Sequence, residues 1–271
     1  MCVVVFYMEK EVIPITEFFD DEPIITPSGM YANYQPDMNT KRERLCALGV
    51  KTAVITLLKK EELVEFVRGA EVFHHVLGKS GKTPCYIIEG NCLLVLAPIR
   101  GNSAAIIEEL ACLGIKNVVA LSGCGRLKDS LDESGLIVME RAIRDEGASY
   151  HYLAPSVFVE TDPAVTAVIE KVLTTRELKY TRGTAWTTDA IYRETKKRAN
   201  RRREQGAICV DLEAASFAAA AKRLGVRFGQ VFYFGDILYE NGDWRLVQES
   251  LHRRGIKVSL LPVAIEIAKN L

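Results

Sequence analysis

Apolar positions along this chain fall into short runs, separated by longer stretches in which they recur at helical spacing. Ala53-Val-Ile-Thr-Leu57 is a run of buried-strand type, and Lys60–Val67 follows with Leu63, Phe66 and Val67 at helical intervals. Cys85–Ile88 and Leu93–Leu96 flank Gly90-Asn91, a favourable hairpin turn, and predict two paired strands. Ser103–Leu113 reads as a helix stopped by Gly114, and Val118–Leu121 as the next buried strand. Leu136–Ile143 is a further strand. Asp162-Pro163 opens a helix to about Leu173, with Asp as N-cap and Pro at the first helical position. The pattern then predicts a strand over Lys179–Trp186, a polar helix over Arg193–Gln205 and a strand over Ala207–Val210. An Ala-rich helix over Asp211–Leu224 closes at Gly225. Phe228–Phe234 is a strand, and Trp244–Leu271 is helical with a break near Gly255.

Strands alternating with helices predict an α/β fold: one domain whose largely parallel sheet is covered on both faces. Residues 1–50 break the alternation. Pro14, Pro23, Pro27 and Pro36 punctuate them, and each proline blocks helix continuation, so a mostly extended arm is expected, packed on the domain or on a neighbouring subunit. Residues 51–271 form the domain.

Composition narrows the class. The 271 residues are 48% apolar and 26% charged, which suits a globular chain and not a disordered one. Lys+Arg and Asp+Glu are each 35, so no global field would hold the chain on nucleic acid or an anionic membrane, and neither is expected as a partner. Seven cysteines occur singly, with no C-x-x-C pair, which argues against a disulfide framework and a structural zinc site and fits a reducing cytoplasm. Met1–Met8 lacks the basic start and small-residue cleavage site of a signal peptide, and no window approaches the ~20 apolar residues of a membrane helix. The histidines are scattered, and no metal is expected.

Ligands in such folds sit at the carboxyl ends of strands, so the loops there are the candidates for chemistry. Ser122-Gly123-Cys124-Gly125 follows a predicted strand, and its glycines serve either a tight turn or close approach of backbone to a ligand. Arg100-Gly-Asn-Ser103 precedes a helix, where Asn102 or Ser103 caps it or the N–H groups and Arg100 receive an anion. Asp211-Leu212-Glu213 places two carboxylates before the Ala-rich helix, as dipole complements or as acceptors for paired sugar hydroxyls. Asp236, after an aromatic strand, is either a turn residue or a partly desolvated general acid. Lys196–Arg203 carries six cations in eight residues and reads as a solvated helix face, with nucleic-acid contact as the alternative. His151, between two tyrosines, reads as structural.

Several of these segments also resemble a known family in order along the chain. Arg144-Asp-Glu-Gly-Ala-Ser-Tyr-His-Tyr-Leu-Ala-Pro-Ser156 is similar to a loop of uridine phosphorylases, and Trp186-Thr-Thr-Asp-Ala-Ile-Tyr-Arg-Glu-Thr195 to their base-pocket segment. Val210-Asp-Leu-Glu-Ala-Ala-Ser216 resembles the acidic-Met-Glu-Ala motif, with Leu212 for Met, and Phe234-Gly-Asp236 the Ser-Asp segment, with Gly235 for Ser. Ser103-Ala-Ala-Ile and Ser122-Gly-Cys-Gly stand where the family has a helix start and a phosphate loop. From about Lys51 to Trp244 the chain thus resembles the nucleoside phosphorylase superfamily, of the uridine phosphorylase and purine nucleoside phosphorylase type.

The resemblance implies a single three-layer α/β domain with a central mixed sheet, partly closed into a barrel and flanked by helices. It implies cleavage of a nucleoside N-glycosidic bond by inorganic phosphate, the co-substrate, giving free base and ribose 1-phosphate without a cofactor. Asp236 would be the acid. Glu213, Leu212 and Asp211 would hold the ribose, Ile191, Tyr192 and Thr188 the base, and Ser122, Gly123 and Arg100 the phosphate. A homo-oligomer is implied, a dimer or a hexamer built as a trimer of dimers. Two departures stand out: Thr56-Leu-Leu-Lys-Lys-Glu-Glu62 lacks the glycine of the family's first phosphate loop, and Ala120 stands at a phosphate arginine. They keep open a hydrolytic nucleosidase, or a nucleoside-binding protein without catalysis, on the same scaffold. Lys59, Lys60 or Arg100 would have to supply the missing charge.

Overall fold

A computed structural model describes residues 14–17, 20–34, 36–57, 63–76, 83–88, 92–96, 103–247 and 251–271. The strands are β1 (Thr52–Thr56), β2 (Val72–Val76), β3 (Thr83–Ile88), β4 (Cys92–Leu96), β5 (Asn117–Arg126) and β6 (Leu136–Asp145). They continue as β7 (Phe158–Glu160), β8 (Tyr180–Thr188), β9 (Ala207–Asp211), β10 (Arg227–Leu238) and β11 (Trp244–Leu246). The helices are α1 (Pro27–Met30), α2 (Met38–Ala47), α3 (Val64–Val67), α4 (Ser103–Cys112), α5 (Pro163–Thr175), α6 (Lys196–Glu204), α7 (Ala214–Leu224) and α8 (Leu251–Lys269).

The sheet is mixed and closes on itself. Strand order runs β11-β10-β6-β8-β9-β5-β1-β4-β3-β2, and β10 also pairs with β5, so β5, β10, β6, β8 and β9 form a five-stranded barrel. The β1–β4, β1–β5, β5–β10, β6–β8 and β8–β9 pairs are parallel; the β5–β9 and β6–β10 pairs that complete closure are antiparallel. Alternation along β1 feeds two of the cores. In β1, Ala53 and Ile55 join the core that includes α7 residues Ala214–Ala221, whereas Val54 joins the core that includes Leu173 of α5 and Leu261 of α8. Continuous apolar runs are what a strand covered on both faces requires.

The structure differs from the sequence reading in four places, and barrel closure explains two of them. The Ser122-Gly-Cys-Gly segment is not a loop, because β5 continues through it to Arg126, paired with β10 on one side and with Val210 and Cys209 of β9 on the other. Its glycines permit barrel closure, since a Cβ on Gly125 would lie 2.8 Å from Val210 Cγ1 and 3.0 Å from Asp236 Oδ1. Gly235-Asp236 likewise does not end its strand: the register shifts between Phe234 and Asp236, a bulge at Gly235, and β10 runs on to Leu238. Trp244–Leu246 is strand β11, and α8 passes through Gly255 without a break in the helix. Strand β2 was not anticipated.

The described part of residues 1–50 is also not a mostly extended arm. Thr26 caps α1 with Pro27 at the first turn, and Asp37 Oδ1 accepts from Thr40 N at the start of α2, so prolines read as helix blockers stand at helix starts. Tyr31, Met38 and Leu45 from this segment are buried in the main core. A buried network fastens it: Tyr31 Oη and His74 Nε2 both meet Glu109 Oε2, at 3.0 and 2.8 Å, and Lys41 Nζ meets His74 Nδ1 at 3.1 Å.

α5 packs so closely on β10 that a Cβ at Gly229 would lie 2.5 Å from Val165 Cγ1 and 2.8 Å from Ile169 Cδ1. Gly229→Ala should destabilise the fold by about 1–3 kcal/mol, the usual cost of overpacking a filled core. A urea-unfolding midpoint unchanged from wild type would show that α5 can move away.

Candidate active site

The junction of β9 and α7 sets the geometry. Asp211, the last residue of β9, is buried, and its Oδ2 accepts from Glu213 N at 3.0 Å and Ala214 N at 2.7 Å. Thr187 Oγ1 on β8 donates to Asp211 Oδ1 at 2.6 Å and accepts from Ala215 N at 3.0 Å. Three orphan N–H groups at the start of α7 are thus satisfied by residues before the helix. Burial pushes the Asp211 carboxyl up to about 6, against the opposing pull of its hydrogen bonds to Thr187, Glu213 and Ala214. Asp211, expected to bind ribose, therefore uses its carboxylate to hold the helix start. Glu213 stands at the N-cap position, is buried, and makes no side-chain capping bond.

Glu213 and Leu212 line a cavity of about 220 Å³ together with Asp211, Gly123, Glu194 and Asp236. A second cavity, about 290 Å³, shares Ile191, Glu194 and Asp236 with the first and is bounded further by Tyr192 and Trp244. Asp236 reaches both because the Gly235 bulge re-aims the strand there. Trp244 Nε1 donates to Asp236 Oδ2 at 2.8 Å. Ile191 and Tyr192, expected at the base, do line a cavity, and Tyr192 is 90% exposed at it.

Other expected residues lie elsewhere. Thr188 is buried at the end of β8, where its hydroxyl accepts from Ala190 N at 3.3 Å, and it lines neither cavity. Ser122 is buried, and its hydroxyl accepts from Gln230 Nε2 at 2.8 Å, so of the Gly-rich segment it is Gly123, Cys124 and Gly125 that reach the cavity. Arg100, Lys59 and Lys60 lie outside the described residues. Among the described residues lining the cavity of Glu213 there are four carboxylates and no Lys, Arg or His.

Glu194 is the residue that sequence reasoning missed. It lines both cavities, and its carboxyl is pushed up to about 7, first by burial and then by the charges of Asp236 and Asp211. The signal was present: it is the one acid of the Ile191–Thr195 stretch, inside a segment already singled out for the base. Two other motifs prove to be scaffolding. The Arg144 guanidinium donates to Ser149, Leu153, Ala154 and Ser156 and so shapes the loop that follows it. In the basic helix α6, Arg198 and Arg202 pair with Asp145 at 3.1 and 2.9 Å, while Arg203 donates to the carbonyls of Leu127 and Leu238. These arginines tie α6 to the barrel and do not form the solvated face expected. Among the described residues no group of three or more His, Cys, Asp or Glu side chains could hold a metal ion, and no helix is long and apolar enough to cross a membrane.

The chain is similar in sequence and in fold to known proteins. The chain is 28% identical over 132 residues to guanosine phosphorylase of Halorubrum lacusprofundi, a match over 48% of this chain and 54% of that protein. It thus spans about half the length of that curated relative. Its fold is similar to that of AMP nucleosidase from Bacteroides thetaiotaomicron, with a TM-score of 0.62 at 22% identity, over 85% of this chain and 98% of that one. It is also similar to uridine phosphorylase from Vibrio fischeri, with a TM-score of 0.65 at 18% identity, over 81% and 90% of the two chains. The family model for the phosphorylase superfamily matches residues 44–259, which take in every strand of the barrel and both carboxylates of the bulge and the α7 start, and the chain belongs to that superfamily.

Proposed function

We propose that the protein is a nucleoside phosphorylase that transfers ribose from a 6-oxopurine nucleoside to inorganic phosphate. The observation that carries the reading is that Glu213 and Asp236 line one cavity, with Glu194 between the two cavities that meet there. Bond cleavage at C1′ builds positive charge on the sugar, so an anion held beside the ring stabilises the transition state. Glu213, fixed by the capped start of α7, accepts hydrogen bonds from the ribose hydroxyls and holds the ring. Phosphate attacks C1′, the bond to N9 breaks, and its electron pair passes into the purine. Asp236 supplies a proton to N7, so free base and ribose 1-phosphate leave. Glu194 accepts from the N1–H and exocyclic amine of a guanine. Preference for guanine is supported by the guanosine phosphorylase to which the chain is similar. No cofactor enters. A homo-oligomer in the cytoplasm completes the reading; the second copy, though not the compartment, is supported by the full exposure of Ile24 beside Ile25, which it would cover.

The acidic lining favours a second reading, hydrolysis by water on the same residues, since an anion entering among four carboxylates meets repulsion. The phosphorylase reading requires ribose 1-phosphate as product and a rate that rises with phosphate concentration. Free ribose at a phosphate-independent rate would establish the nucleosidase instead. In either case Glu213→Ala should lower kcat/KM by at least about 100-fold, the usual penalty for a misplaced reacting group, with the unfolding midpoint preserved. Near-normal turnover in that variant would remove Glu213 from the site.

Glu194 and Asp236 line one cavity, and burial together with the charge of Asp236 keeps a proton on Glu194 near neutral pH. A base that donates to Glu194 favours the anion there and sends the proton to Asp236. With Glu194 pushed up to about 7, this proton is lost as pH rises past that point. The value of kcat/KM should therefore fall about tenfold per unit above pH 7, as for a single essential proton. In Glu194→Gln the group that titrates near 7 is gone, so the falling limb should leave that pH. A limb that stays in place would mean that Glu194 does not hold the essential proton.

A further inference from the structure

The network that fastens residues 1–50 to the domain has the order of a proton relay. Glu109 of α4, His74 of β2 and Lys41 of α2 stand in line: His74 Nε2 meets Glu109 Oε2 at 2.8 Å, and Lys41 Nζ meets His74 Nδ1 at 3.1 Å. The same Glu109 oxygen accepts from Tyr31 Oη. A carboxylate only accepts, so His74 Nε2 carries the imidazole proton and Nδ1 accepts from the Lys41 ammonium. His74 and Glu109 are buried, and Lys41 is half-buried. A lysine present only to hold α2 in place would be served best by the carboxylate itself. Here a neutral ring stands between the two charges, and it can take the ammonium's proton while staying beside the anion. Burial lowers the Lys41 ammonium from the usual lysine range, against the opposing effects of Cys85, Glu109 and Asp37. A nucleophile, a base and an orienting carboxylate at successive hydrogen-bond distances form the arrangement that activates a nucleophile.

This amine opens on a cavity of about 210 Å³ that shares no lining residue with those of Glu213 and Asp236. β2 ends the strand order opposite β11, so the cavity lies at the other edge of the sheet from the hairpin of Trp244. Its walls are flat: the Tyr31 and Tyr34 rings, with centroids 5.2 Å apart, and the Phe73 ring. Arg44, one turn along α2 from Lys41, places its guanidinium 5.5 Å from the Phe73 centroid and pairs with Glu71 at 3.6 Å. Both members of that pair are exposed, and an exposed pair holds its arginine weakly. The cavity thus offers a nucleophilic nitrogen, an aromatic wall and a cation that an incoming anion can engage.

We propose that Lys41 is a second reactive centre, an amine that forms an imine with a small, flat aldehyde bearing an anionic group, with His74 as its base and Arg44 as the anchor of the anion. The ammonium passes one proton to His74 Nδ1, and Glu109 stabilises the imidazolium. The nitrogen lone pair then attacks the carbonyl carbon, the C=O π pair moves to oxygen, and a second amine proton follows it to give a hydroxyl. His74 returns its proton to that hydroxyl, which leaves as water while the nitrogen pair closes the C=N bond. The third proton stays on the imine nitrogen, within reach of His74 Nδ1. One ammonium and one aldehyde give one protonated imine and one water, with no oxidant or reductant. The small volume and flat walls favour a single ring. The inference stands apart from the phosphorylase and nucleosidase readings.

The test treats the full chain with pyridoxal 5′-phosphate, a flat anionic aldehyde, traps imines with borohydride and maps the labelled lysines by mass spectrometry. Lys41 should be labelled at least about tenfold faster than the exposed Lys179, a modest share of what a positioned base supplies. Lys41→Arg should remove that label. Pyridoxal, which lacks the phosphate, should label Lys41 about tenfold more slowly, as for loss of a hydrogen bond to a charged group. His74→Asn keeps an acceptor for the ammonium but no base, and should slow labelling about 100-fold. A merely structural His74 would leave the rate unchanged. Glu109→Gln keeps an acceptor oxygen without the charge, should slow labelling in the same direction, and carries the comparison if His74→Asn does not fold. Labelling of Lys41 no faster than that of Lys179, equal rates with the two aldehydes, or a wild-type rate in the variant compared overturns the proposal.

Discussion

A carboxylate buried at the start of a helix is the constraint on which the site depends. Out of water, Asp211 persists only because donors surround it: two backbone N–H groups of the incoming helix and the Thr187 hydroxyl from the neighbouring strand. Those same N–H groups would be orphans without it. Each side therefore satisfies the other, and the turn between β9 and α7 is left with one conformation. Glu213 rides on that turn. Its placement beside the cavity follows from a network in which its own side chain does not cap the helix. The cost of the arrangement appears as the raised carboxyl of Asp211.

Barrel closure brings the remaining groups together. β5 has to run between β9 and β10 with no room for a side chain at Gly125, so its Gly-rich stretch approaches Val210 and Asp236 directly. The bulge at Gly235 then turns Asp236 toward both cavities. The result is a crowd of acids around a volume large enough for a sugar and a base. Such a cavity stabilises developing positive charge and holds a proton near neutral pH, both of which glycosidic cleavage uses. It repels the anionic nucleophile. Phosphorolysis here would therefore need cationic groups beyond the described lining.

The N-terminal segment shows how a local rule can mislead. Its prolines do forbid helix continuation, yet at Pro27 the missing N–H costs nothing because a first-turn donor has no helical partner. The reading of an arm also missed that Tyr31 and Lys41 would meet His74 and Glu109, residues far away in sequence whose burial requires partners.

Elements whose cause is local were legible in the sequence. The apolar runs of β1, β5 and β10, the Asp-Pro start of α5 and the Gly225 stop of α7 follow from side-chain periodicity and capping chemistry, and they were placed within a few residues. The family motifs singled out Glu213 and Asp236, which line one cavity. What the chain alone could not decide were matters of closure and crowding. Whether Ser122-Gly-Cys-Gly is a loop or a strand depends on β9 and β10 arriving on either side of it. Whether Asp211 binds a ligand or a helix depends on Thr187, which lies 24 residues away. Glu194 acquires its raised carboxyl, and Trp244 its acceptor, only when four separate segments enclose the same volume. A titrating group answers to every charge and every missing water around it, and those neighbours are assigned by the tertiary fold.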